Sequence, residues 1–283
     1  MKNVFRIGLI VFCCQCVVAS RPPVSVAPTP KVVEITQPEP ESHIPITSSM
    51  INTSCGLDMR HVSGNYCPEV EQKCLRWLDK DLSPTANSGI GPLQCAEFEY
   101  PTKCLSTKKV KQDFCMDTYE WPNKEGSLPP VGMTWNQAKA SCEGIGKRLC
   151  TTTEWTFACE TEEIKPYPYG DGYHRDDTAC NIDKPSMDPS LPRSEWPKYY
   201  SAVPSGSMDR CVSSFGVHDM TGNVDEWIFN PKGSKDKDPF ISTLSGGYWG
   251  PVRARCRPKT TVHGPDFSFY QIGFRCCTDI KTL

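Results

Sequence analysis

The sequence predicts an α+β domain that is irregular, rich in loops and stapled by disulfides. Three observations predict it. Thr134-Trp-Asn-Gln137 and Thr151-Thr-Thr-Glu154 are capping boxes placed ahead of apolar residues at helical spacing. Several short apolar runs flanked by turn residues have the length of strands. Fourteen of the seventeen cysteines lie between Cys55 and Cys277, in a chain of 283 residues with 26 prolines and 20 glycines. So much irregular backbone needs covalent or metal-ion support.

In chain order, residues 1–20 carry Lys2 and Arg6, an apolar run from Ile7 to Val18, and then Ala19 and Ser20. That is the layout of a secretory signal, and the run is short for a membrane span. A retained anchor and a lipid-attached cysteine among Cys13, Cys14 and Cys16 are the alternatives, and a membrane enters only through them. Residues 21–50 hold seven prolines, no aromatic residue and no cysteine. Such a segment cannot offset its ordering entropy and reads as an extended tether, with a short strand at Lys31–Ile35 as the alternative. Residues 51–283 form the single folded domain.

Export makes the fourteen remaining cysteines a disulfide framework of an extracytoplasmic protein. A reduced zinc site is the competing reading, but no CxxC pair occurs among these fourteen and the five histidines are scattered. The net charge of −2, with no dominant basic face, excludes a nucleic-acid binder.

Within the domain, Val70, Cys74 and Leu78 at i, i+4 and i+8 predict a short helix in Glu69–Lys80. Ser83–Pro92 reads as a loop, and Gln112–Trp121 as a strand. The first capping box leads Trp135, Ala138 and Cys142 along one helical face, ending near Gly144 and Gly146; the second leads Trp155, Ala158 and Cys159. Ile164–Asp177 and Lys184–Arg210 are loop-like, dense in Pro, Gly, Ser and Asp. Short strands are expected at Phe215–Met220, Val224–Phe229, Gly247–Val252 and Ile272–Cys276.

Several motifs then fall in a familiar order: Val131–Glu160, Tyr167–Tyr173, Phe215–Trp227, Leu244–Trp249 and Ile272–Cys277. In this order they resemble the formylglycine-generating enzyme, or sulfatase-modifying-factor, family, whose fold is a variant of the C-type lectin fold. The resemblance runs from about Cys55 to Cys277. It implies disulfides Cys142–Cys276 and Cys159–Cys256. It also implies calcium, with Asp219, Met220, Gly222 and Val224 on the calcium loop and Glu120 as a more distant carboxylate ligand; hard oxygen donors suit that ion. Asn181 and Ile182 match part of a second calcium site for which no later acid aligns. On the residues alone, Asp219 capping a turn and Glu120 on the surface remain the alternative.

Catalysis in that family depends on two cysteines after the Gly-Gly pair, which bind copper(I). Here Gly246-Gly247 is followed by eight residues and then Cys256, which matches the structural cysteine instead. The copper pair is therefore missing, and formylglycine-generating activity is not expected. Iron is not excluded, although the histidines that stand near acids, His218 beside Asp219 and His263 near Asp266, read more simply as loop residues.

Two functions follow. The first is an exported, calcium-stabilised, non-catalytic binding or interaction module, a pseudoenzyme, for an unknown protein or peptide ligand. Its cleft would hold Tyr248, Trp249, Arg253 and Arg255; alternatively Trp249 packs inward and the arginines form ion pairs. The second is an oxidase or oxygenase related to the family with an altered iron or copper centre. The balance lies with the module.

Overall fold

The computed structural model describes residues 55–78, 94–185, 191–233 and 240–280. The expected signal segment (1–20), the tether (21–50) and the Ser83–Pro92 loop lie outside them.

Two antiparallel-rich sheets carry the architecture. The first is assembled from β1 (Met59–Tyr66), β6 (Val110–Asp117), β7 (Arg148–Leu149) and β12 (Cys276–Asp279), in the order β1-β6-β12-β7. β1 and β6 pair antiparallel from Met59↔Asp117 to Tyr66↔Val110, and Cys55–Cys115 locks one end of that ladder. The second sheet has the order β10-β9-β8-β11, from β8 (Asp225–Phe229), β9 (Ser242–Ser245), β10 (Lys259–Thr260) and β11 (Ile272–Phe274). β11 runs parallel to β8. Two-stranded ribbons pair β2 (Val70–Glu71) with β5 (Lys103–Cys104) and β3 (Cys74–Trp77) with β4 (Cys95–Phe98). The described residues belong to one compact unit, Met50–Leu283.

Both helices begin where the capping boxes place them. α1 (Trp135–Gly144) starts with Gln137 donating its N–H to Thr134 Oγ1 while Gln137 Oε1 accepts the Thr134 N–H. α2 (Thr152–Glu160) repeats the reciprocal arrangement through Thr151 and Glu154. Each box satisfies two of the donors that a helix start leaves open. Trp135, Ala138 and Cys142 of α1 face the core, and nearly all of α2 is buried.

The fourteen cysteines from Cys55 onward form seven disulfides, the mark of a fold that matures in an oxidising, extracytoplasmic compartment. Cys142–Cys276 and Cys159–Cys256 are the two pairs the resemblance implies. The others are Cys55–Cys115, Cys67–Cys104, Cys74–Cys95, Cys150–Cys277 and Cys180–Cys211.

Three local expectations need correction. Glu69–Trp77 holds β2 and β3 instead of a helix, because Cys74 is bonded to Cys95 across the β3–β4 ribbon and Leu78 stays exposed. Phe215–Met220 is a turn with an isolated bridge between Val212 and His218; Gly216 (φ 79°) and Asp219 (φ 57°) break any extended run. Gly247–Val252 is a tight loop, since Gly246 (φ 91°) and Gly247 (φ 73°) both adopt left-handed backbone.

Candidate functional site

The loop between Asp219 and Val224 sits at the centre of a buried acidic cluster. Glu120, just after β6, is fully buried, as is Glu226 on β8, and Asp219 is 2% exposed. Arg275, also fully buried, forks Glu226 with contacts of 2.7 to 3.0 Å. Trp155 adds its indole N–H to Glu226 at 2.8 Å. Among the described residues neither Glu120 nor Asp219 has an ion-pair partner of its own. Glu120 accepts from Ser205 Oγ (2.6 Å), Asn223 Nδ2 (2.7 Å) and the Val224 N–H (3.3 Å). Asp219 accepts the N–H of Gly206, next to Ser205, at 2.7 Å.

Three buried carboxylates thus face one guanidinium. Burial, reinforced by Asp219 and Glu226, holds Glu120 well above the usual carboxylate range. Burial also pushes Asp219 up to about 6. A cluster with this charge deficit and only oxygen donors fits a hard divalent cation. Asp219 (φ 57°), Gly222 (φ 81°) and Asn223 (φ 53°) coil the loop, and Met220 O lies 2.9 Å from where a Cβ on Gly246 would stand. Asn181 and Ile182, expected at a separate site, pack against this same loop. A Cβ on Gly222 would meet Asn181 O at 2.4 Å and Ile182 Cγ2 at 2.5 Å, so only glycine fits there. The Asn181 amide is already engaged by Ser201 O and Asn223 Oδ1. Among the described residues no three His, Cys, Asp or Glu side chains converge on one metal position. A cation here would therefore take backbone carbonyls along with Glu120 and Asp219.

The segment after Gly246-Gly247 does not form the expected cleft. A Cβ on Gly247 would meet Ala254 Cα at 2.9 Å, so the chain doubles back and closes on itself. Trp249 is fully buried with Val224 and Tyr270, and its backbone joins Asn223 O and the Lys184 N–H. Among the described residues its indole nitrogen has no hydrogen-bond partner. Arg253 pairs with Asp225 at 2.8 Å, Arg255 lies over Trp77 and Phe98, and Arg257 forks Glu160 at 2.6 and 2.7 Å. Tyr248 and Trp249 therefore stay together against Tyr270, while Arg253 and Arg255 go to two other surroundings. His218 tilts against Tyr119 and His263 stacks on Phe267 at 3.8 Å between ring centres.

A pocket does open beyond Trp249, and sequence reasoning missed it. Val131, Arg193, Trp196, Pro197, Tyr200 and Tyr270 enclose about 460 Å³ of mostly apolar surface. A 3₁₀ helix, Arg193–Tyr199, supplies one wall, with the Arg193 guanidinium 4.8 Å over the Trp196 ring. Trp249 backs the pocket, edge-on to Tyr200 and Tyr270. The available signal was the aromatic density of Trp196, Tyr199 and Tyr200 inside a stretch otherwise read as loop. Glu226 and Arg275 were also missed, although both lie within the recognised motifs Phe215–Trp227 and Ile272–Cys277.

Residues 90–280 match the sequence model of the sulfatase-modifying factor enzyme 1-like domain. An inactive C-alpha-formylglycine-generating enzyme 2 of Bos taurus is 28% identical over 165 residues, 53% of this chain and 50% of that protein. A formylglycine-generating enzyme of Mus musculus is 27% identical over 183 residues, 53% of this chain and 44% of that protein. The chain spans about half the length of the curated relatives it matches. The solved structure of PvdO from Pseudomonas aeruginosa is 15% identical with a TM-score of 0.47, covering 80% of this chain and 96% of that one. The ordered motifs, the two capped helices stapled to the C-terminal strands, and the match over 90–280 converge: the chain belongs to the sulfatase-modifying factor enzyme 1-like family.

Proposed function

We propose that this chain is an exported, non-catalytic binding module of its family, stabilised by calcium. One observation carries the reading: all fourteen cysteines from Cys55 to Cys277 are engaged in disulfides, so no thiolate pair follows Gly246-Gly247 to hold copper(I). The name of the bovine relative, an inactive form, supports it; the mouse enzyme matches at nearly the same identity and does not discriminate. Calcium would be held by the Glu120 and Asp219 carboxylates and carbonyls of Met220, Gly222 and Val224. There it would supply the positive charge the buried cluster lacks. The pocket of Val131, Arg193, Trp196, Tyr200 and Tyr270 would receive an apolar side chain of a protein or peptide ligand.

The test is metal analysis of the oxidised, purified protein, together with mass spectrometry of a cysteine-containing peptide incubated with it, copper and oxygen. The expected result is about one equivalent of calcium and an unmodified peptide. Stoichiometric copper or iron, or a peptide gaining formylglycine, overturns the reading in favour of an oxidase.

A further inference from the structure

A second pocket, of about 300 Å³, lies away from both the acidic cluster and the aromatic pocket, between the start of α2 and β10. Its lining includes Thr152, Thr153, Lys232, Arg257, Lys259 and Thr261. Three of these are cationic, and among the described residues no lining residue is acidic. The carboxylate that acts on Lys259, Glu160, is buried and already forked by Arg257 at 2.6 and 2.7 Å. Lys259 Nζ donates to Thr156 Oγ1 (2.6 Å) and Arg257 O (3.3 Å), two neutral oxygens. Among the described residues neither Lys259 nor Lys232 has an ion-pair partner. Elsewhere the chain neutralises its inward cations: Arg175 meets Asp183, Arg253 meets Asp225 and Arg275 meets Glu226.

An ammonium enclosed without a counter-charge is costly, and burial pushes Lys259 down to about 7. The groups that act on it are Glu160, which favours its charge, and Arg257 and Arg253, which oppose it. Tyr66 forms part of the wall, with its ring under the Arg257 guanidinium. Hydroxyls of Thr152 and Thr261 add donors that anions accept from.

We propose that this pocket binds a tetrahedral oxyanion, the sulfate or phosphate monoester group of a ligand, on Lys259, Arg257 and Lys232. The geometry matches what charge-assisted recognition requires: a guanidinium already oriented by Glu160, an ammonium with an unfilled donor, and a rim lysine to draw the anion in. The inference does not depend on whether the chain is catalytic.

The experiment measures thermal unfolding and calorimetric binding of the oxidised full chain with inorganic sulfate and inorganic phosphate, against chloride at equal ionic strength. The expected result is saturable stabilisation by sulfate or phosphate beyond that by chloride. Lys259→Met weakens binding about tenfold or more, because a charged hydrogen bond is lost. Lys232→Ala, at the exposed rim, weakens it about threefold and cannot disturb the core. Lys139→Ala, on the outer face of α1, leaves it unchanged. Sulfate binding should fall as pH rises through about 7 with loss of the Lys259 proton. The anion that stabilises the chain at the lower concentration identifies which of the two esters the pocket prefers. Absence of any stabilisation beyond chloride by both anions overturns the proposal. So does full retention of binding in Lys259→Met and Lys232→Ala.

Discussion

Cys276 and Cys277 are consecutive in β12 yet serve opposite sides of the sheet. Cys276 bonds Cys142 of α1 in the cluster of Trp135, Leu149 and Trp227, while Cys277 bonds Cys150 in the cluster of Phe114, Trp155 and Met220. Successive side chains of a strand alternate faces, so one dipeptide fastens two core compartments at once. The bonds close stretches of 134 and 127 residues.

Removing the Cys150–Cys277 bond by Cys150→Ala/Cys277→Ala should lower stability by about 2–5 kcal/mol, the usual loss for a native long-range disulfide. Denaturant unfolding under oxidising conditions measures it. A loss near zero would mean that packing around Trp155 alone holds that compartment.

Trp249→Ala should cost about 3–5 kcal/mol, because a fully buried indole leaves a large cavity behind Tyr200 and Tyr270. Trp249→Phe should cost much less, since the indole N–H it removes has no partner. Equal losses in the two variants would contradict the burial described.

Arg275→Met leaves Glu226 buried without its cation and should cost about 3–5 kcal/mol. The double variant Arg275→Met/Glu226→Gln should recover a substantial part of that loss. Urea titrations of the two variants and the parent decide it.

Calcium should raise the unfolding temperature and a chelator lower it. In Asp219→Asn that response should vanish, while the calcium-free variant should be no less stable than the calcium-free parent. The reason is that one uncompensated buried carboxylate has been removed. A calcium response surviving in Asp219→Asn would remove the loop from the site.

The stability of the parent relative to Lys259→Met should depend on pH with a definite sign. Burial holds Lys259 down to about 7, against 10.5 in the unfolded chain. Its contribution is fully favourable above about 10.5 and is lost as pH falls through about 7. Lys259→Met should therefore gain several degrees over the parent at pH 6, and the advantage should shrink toward pH 10. Glu160 works oppositely: burial holds it up at about 7, so its contribution is present below 4.5 and lost as pH rises through 7. Comparing the two proteins at each pH cancels every shared group and leaves the lysine together with its coupling to Glu160. An advantage that grows with pH would refute the assignment.

Local chemistry made the helices legible. A threonine followed three residues later by glutamine or glutamate satisfies donors within one turn, so Thr134 and Thr151 mark α1 and α2 whatever surrounds them. The motif order carried the family, the fold and the Cys142–Cys276 and Cys159–Cys256 bonds. Periodicity misled where it was short: Val70, Cys74 and Leu78 keep helical spacing, but the Cys74–Cys95 bond and the ribbon around it dictate strands.

What the sequence determined by itself was therefore whatever depends on neighbours a few residues away: the two helix caps and a cysteine count that demands a disulfide framework. Tertiary structure alone decided how distant charges and rings were distributed. Arg253, Arg255 and Arg257 alternate along one short segment, yet one meets Asp225, one lies over Trp77 and one forks Glu160. Lys259, two residues on, forms no ion pair among the described residues and is left lining a pocket. Pairing energies of this kind depend on separation and burial in space, and residue order does not contain either quantity.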